Sequence, residues 1–212
     1  MKPQPDTVEP EAQSRPMRDQ AYRTFTDHLL SRQIRPGQFV SQRELVPRLE
    51  ADGLIKTVPQ RGMQVAHVDL DLIRNAFQFR LMMEREAVAH FAATAPESLT
   101  AEQHKLHLDI AAEAKAGVSQ ALLQRAQAMD WNLHDLMIDH LGNEIISNAY
   151  RVNSIKIRLI SFERVRMLPD LVVSVMAEHL PILEAAMRRD VDGAVAAMEA
   201  HIASARSRAL QF

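Results

Sequence analysis

Met129-Asp130-Trp131-Asn132-Leu133-His134-Asp135-Leu136-Met137 is the stretch around which the chain is best read. Asp130 and His134 stand four residues apart, so on a helix a carboxylate and an imidazole share one face about one turn from each other, as two ligands of one metal ion must. Two histidines far downstream, His179 and His201, each lie in a helix-like stretch of their own. No other residues of the C-terminal half offer so clear a set of four. One carboxylate and three imidazoles suit a divalent transition metal such as zinc or nickel, with room for water or a ligand oxygen. A lone helical histidine is more often a satisfied or solvated residue than a ligand, so the reading rests on the four together. Asp135, Asp139 and His140 are nearby alternatives, although His140 is off the Asp130 face.

Composition narrows what can surround such a site. The 212 residues are ample for a small domain plus a larger one. Hydrophobic residues make up 47%, many of them Ala, Leu and Met, and there are only six glycines, which favours helix over sheet. With no cysteine, a disulfide framework and a thiolate zinc site are both excluded. No signal peptide and no apolar run long enough to span a bilayer are present, so the expectation is a soluble cytoplasmic protein without membrane partners. The net charge of −2 hides an asymmetry. Residues 15–66 carry nine Lys or Arg against five Asp or Glu, and residues 67–212 carry fifteen against nineteen. A basic head on an acidic body fits a nucleic-acid-binding module joined to a regulatory one.

Residues 1–16, with Pro3, Pro5 and Pro10 among acidic and polar residues, read as a flexible leader. Ala21, Tyr22, Phe25, Leu29 and Leu30 then recur at helical spacing, and Phe39-Val40 is a short extended link. Ser41 with Glu44 forms a capping box for a second helix. That helix meets Pro47 almost at once, then Arg48-Leu49-Glu50-Ala51-Asp52-Gly53, a last helical turn with Gly53 as its C-cap. Leu54 to Val58 and Met63 to Ala66 are β-like runs joined by Pro59-Gln60-Arg61-Gly62, a hairpin with a basic tip.

Three pieces, Ser41-Gln42-Arg43-Glu44-Leu45, Arg48 to Ile55, and Arg61-Gly62-Met63-Gln64-Val65, resemble the winged-helix head of the GntR family of bacterial transcription regulators. The Asp130/His134, His179 and His201 pattern resembles the all-helical FCD ligand domain of that family's FadR-like subgroup. The resemblance implies a winged helix-turn-helix over residues 17–67, an FCD domain over 68–212, and DNA contact by Arg43 and by the wing tip, Arg61 and Gly62. It also implies that Arg80 faces the ligand cavity and clasps an effector carboxylate, whereas spacing alone equally allows an ion pair with Glu84. The chain departs from the pattern between Val46 and Pro47, where the family has a turn and most of its recognition helix. Either the base-reading element is lacking, or residues belonging there are absent from the written sequence; the second is the expectation.

The body is expected to be a six-helix antiparallel bundle, making the whole chain mainly α. Its helices should start at Asp69 or Asp71, Ser98 or Thr100, about 119, Asn143, about Asp170 and Asp192, with Pro181 kinking early turns of the fifth. Met82, Met83, Met129 and Met137 read as core or cavity wall. The functional expectation is a homodimeric regulator of operator DNA whose helical domain binds a metal and a small organic acid. A metal-dependent enzyme acting on a small organic acid, with His140 or Glu84 as general base, is the alternative, followed by a truncated regulator that does not read DNA.

Overall fold

The computed structural model describes residues 24–26, 28, 33–40, 46–164 and 169–211. The chain divides into two compact units, Met1–His67 and Val68–Phe212.

In the first unit, strands β1 (Phe39–Val40), β2 (Ile55–Val58) and β3 (Gly62–Val65) form an antiparallel sheet of order β1-β3-β2. Phe39 pairs with Gln64 on one side of β3 and Lys56 pairs with the same residue on the other. The expected extended link at Phe39-Val40 is thus an edge strand. The hairpin closes through Arg61 N–H donating to Val58 O at 3.1 Å, with Pro59 and Gln60 between them. Gln60 has φ +63°, the positive value that the third position of a type II turn demands.

Helix α1 (Val46–Ala51) ends as the sequence suggests: Gly53 has φ +68° and Leu54 N–H donates to Leu49 O at 2.8 Å, a Schellman closure. Val46 and Pro47 both lie within α1 as described. As described, α1 spans six residues, roughly 9 Å. Phe25, Leu49, Leu54 and Val65 are fully buried and form the head's core. Arg43, the Ser41/Glu44 capping box, residues 1–16 and most of the first expected helix lie outside the described residues.

The second unit is helical throughout: α2 (Leu70–Thr94), α3 (Glu97–Ala116), α4 (Gln120–Asp139), α5 (Glu144–Arg164), α6 (Pro169–Met187) and α7 (Val191–Leu210). Local side-chain caps explain most starts. Asp69 accepts from Leu72 N, Ser119 from Leu122 N, Asn143 from Ile145 N and Ile146 N, and Asp190 from Gly193 N. Helix α3 starts at Glu97 after Pro96, without a side-chain cap, and not at Ser98 or Thr100; the Thr100 hydroxyl instead donates back to Glu97 O. Pro181 lies well past the middle of α6, which is assigned as one helix through it, not in early turns.

Helix α2 is central and packs against α4, α5, α6 and α7. Ile73, Phe91, Leu133, Met137, Ile138, Ile160, Ile182 and Leu183 are fully buried in the main core, each such side chain worth about 1.5–3 kcal/mol. Met137 belongs to that core, but Met82 is 69% exposed and is neither core nor cavity wall. Among the described residues, no helix is long and apolar enough to cross a membrane.

Candidate metal centre

Helix α4 presents Asp130 and His134 on one face, one turn apart, while α6 brings His179 and α7 brings His201. Each of the four offers a ligand atom, and these atoms lie within 4.8 Å of one another. Side chains sharing that face, Leu133, Met137 and Ile138, are fully buried, which is why the helix turns it inward. All three imidazoles are buried, and their ring centroids stand 4.6 to 5.3 Å apart. With metal–ligand bonds of about 2.1 Å, opposite donors can be separated by at most about 4.2 Å. Closing the set takes side-chain shifts of roughly half an ångström.

A second layer holds these rings. His201 Nδ1 is 2.9 Å from Glu178 Oε2, and Glu178 is also gripped by Arg208 at 2.6 and 3.0 Å. Burial opposes ionisation of Glu178, but His201 and Arg208 hold its carboxyl down at about 2. His134 Nδ1 is 2.8 Å from Glu84 Oε2, off the N–H axis, so that contact is electrostatic attraction and not a well-formed hydrogen bond. Glu84 is wholly buried and accepts from Tyr150 Oη at 2.6 Å and from Arg80 Nε at 2.7 Å. Burial disfavours its charge, yet Arg80 and His134 keep it well below the usual carboxylate range. Against the same opposing burial, His179 and His134 keep Asp130 well below that range too. Burial and the neighbouring His179 push His201 down to about 3, so the ring is neutral, as a ligand must be.

His179 supplies the test of fit. Its Nε2 is 3.4 Å from Asp130 Oδ1, buried, and without a hydrogen-bond partner. A bare buried nitrogen beside a carboxylate and two other imidazoles is what a divalent cation would satisfy. The donor set fits zinc or nickel.

Arg80 forms the ion pair with Glu84 and also reaches the cluster. Its Nε pairs with Glu84, while Nη2 reaches 2.7 Å from His134 Nε2 and 3.5 Å from His201 Nε2. Burial disfavours the guanidinium charge, but Glu84, Tyr150 and Asp130 together more than offset it and raise the pKa. A cavity of about 70 Å³ adjoins the cluster, lined by Arg80, Asp130, Trp131, His134, Arg158 and His201 among others. Residues weighed as alternatives are engaged elsewhere. Asp135 pairs with Arg158 at 3.1 Å, Asp139 with Arg151 at 2.6 Å, and His140 meets Thr94 Oγ1 at 3.0 Å. Glu84, locked between Arg80 and Tyr150, is not placed as a general base. Sequence reasoning missed Glu178, Arg208 and His107 behind the ligands. Arg61 is exposed beside the hairpin tip and Gly62 has φ +92°, with open space where a Cβ would project.

The family model for the FCD domain matches residues 75–204. The chain belongs to the FCD-domain family of GntR-type transcription regulators. It is similar to the HTH-type transcriptional repressor RspR of Escherichia coli (strain K12), at 25% identity over 208 residues, covering 89% of this chain and 87% of that one. In fold it is similar to a GntR transcriptional regulator from Rhodococcus sp. RHA1 (TM-score 0.72, 18% identity, 92% of this chain and 98% of that one). The Zn2+-bound FCD domain of TM0439 gives a TM-score of 0.51 at 23% identity, covering 68% of this chain and 96% of that one. These relatives of the FCD regulator are themselves transcription regulators, not enzymes.

Proposed function

We propose that this regulator holds a divalent transition metal, zinc or nickel, on Asp130, His134, His179 and His201, and that a small carboxylate effector docks beside it against Arg80. The observation that carries the reading is the convergence of four donor atoms within 4.8 Å around a buried, unpartnered His179 Nε2. The zinc-bound state of the TM0439 FCD domain supports the same choice of ion. When bound, the ion supplies a positive centre that attracts an effector oxygen.

Arg80 gives the site its second step. His134 Nε2 has one lone pair, which cannot both ligate an ion and accept from Arg80 Nη2. An ion held by His134 Nε2 would leave the far end of the guanidinium free, while Glu84 retains its near end. The freed nitrogen faces the cavity and clasps a carboxylate. The cavity's size admits a small organic acid. Effector binding then shifts a homodimer between two arrangements of its heads, because the two arrangements bind the acid unequally.

The head binds operator DNA through charge at the wing, with Arg61 against the phosphates and Gly62 allowing close approach; Arg43 adds a further contact. Gel-shift measurements on promoter DNA beside the protein's own gene test the reading. Zinc-loaded protein should shift that DNA, with the midpoint moved by one or more small carboxylates and restored by chelator. Protein that retains no zinc, or binding indifferent to every carboxylate, would overturn it.

A further inference from the structure

We propose that His107 is a positioning residue of the metal centre: it dictates which nitrogen of His179 carries the proton, and thereby aims the Nε2 lone pair at the other three donors. The inference rests on the metal reading above, but its geometry stands independently. His107 is fully buried on α3, a helix that contributes no ligand. Its Nδ1 lies 2.7 Å from Gln103 O. A carbonyl oxygen only accepts, so Nδ1 bears the proton, and a neutral imidazole then has an acceptor at Nε2. That Nε2 lies 3.1 Å from His179 Nδ1, which must in turn donate. The proton of His179 is accounted for, and its Nε2 is left bare toward Asp130.

The choice of residue type has a physical reason. His134 and His201 have carboxylates behind them, Glu84 and Glu178. With Asp130, these make three anions around the centre. A third carboxylate backing His179 would bury a fourth, at a desolvation cost of several kcal/mol. A histidine that relays a backbone carbonyl orients the ring without added charge.

The test uses the full chain, with His107→Leu and His107→Gln. Leucine fills the space and accepts nothing, whereas the glutamine amide oxygen can take the His179 proton. Zinc affinity, read by competition with a chromophoric chelator, should weaken about 10- to 100-fold in the leucine variant and stay within about threefold of wild type in the glutamine variant. Nitrogen-15 NMR of the metal-free protein should place the His179 proton on Nδ1 in wild type and lose that preference in the leucine variant. Unchanged zinc affinity in the leucine variant, equal losses in both, or a wild-type His179 protonated on Nε2 would overturn the proposal. Wild-type protein that binds no zinc yet shows the Nδ1 tautomer would sink the metal reading and leave the relay standing.

Discussion

Replacing His179 by alanine removes one of four donors and leaves the other three in place. A structural zinc site contributes about 10–16 kcal/mol in all, so one ligand of four is worth about 3 kcal/mol, roughly a hundredfold in Kd. Ligand linkage turns this into a thermal measurement. At free zinc about a thousandfold above the wild-type Kd, the metal stabilises the folded chain by about 4 kcal/mol; a hundredfold weaker site gains only about 1.4 kcal/mol. For a domain of this size, at about 3 °C per kcal/mol, zinc should raise the wild-type Tm by about 12 °C and that of the variant by about 4 °C. The zinc-dependent increment carries the comparison, since His179 is fully buried and alanine also leaves a cavity and strands His107. Scanning calorimetry with and without zinc, alongside metal content by mass spectrometry, gives both numbers. Equal increments, with unchanged metal content in the variant, would remove His179 from the centre and refute the reasoning.

Other perturbations address separate links. Arg80→Lys keeps a charge for Glu84 but loses the fork that reaches His134, so zinc affinity should hold or rise while carboxylate affinity, measured by calorimetry on zinc-loaded protein, falls at least about tenfold. Arg61→Ala should weaken DNA binding about equally across sequences and lower the slope of log K against log salt by about 1. For the metal-free protein the sign of the pH effect is fixed by His107 and His201, held down at about 4 and about 3 against an ordinary 6.5. Between 6.5 and those values the unfolded chain binds the extra protons, so stability should decline as pH falls, by on the order of 1 kcal/mol per pH unit for each ring. Urea melts at pH 7 and pH 5 check this, and equal midpoints would contradict it.

What the sequence revealed follows the range of the interactions. Caps at Asp69, Ser119 and Asn143 act over two or three residues and could be read directly, whereas the start at Glu97 follows a proline with no side-chain acceptor. Asp130 with His134, and Arg80 with Glu84, are four apart and so announce a shared helix face. Their partners do not: Tyr150 meets Glu84 across 66 residues and His107 meets His179 across 72. Nothing in the local pattern marks Glu178 as the support of His201. Met82 misled because its spacing fits a helical stripe while its own position on α2 faces outward. The head was read through its turns, Pro59 to Gly62 and Gly53, where backbone conformation demands particular residues.

Glu178 and His179 are consecutive on α6, and successive helical residues project about 100° apart. One helix thus aims His179 at Asp130 while its neighbour braces His201 on α7. Rolling α6 to press one imidazole inward swings the brace sideways and slackens the other. The rod behaves as a cam with two lobes, both engaged at one angular setting of the helix.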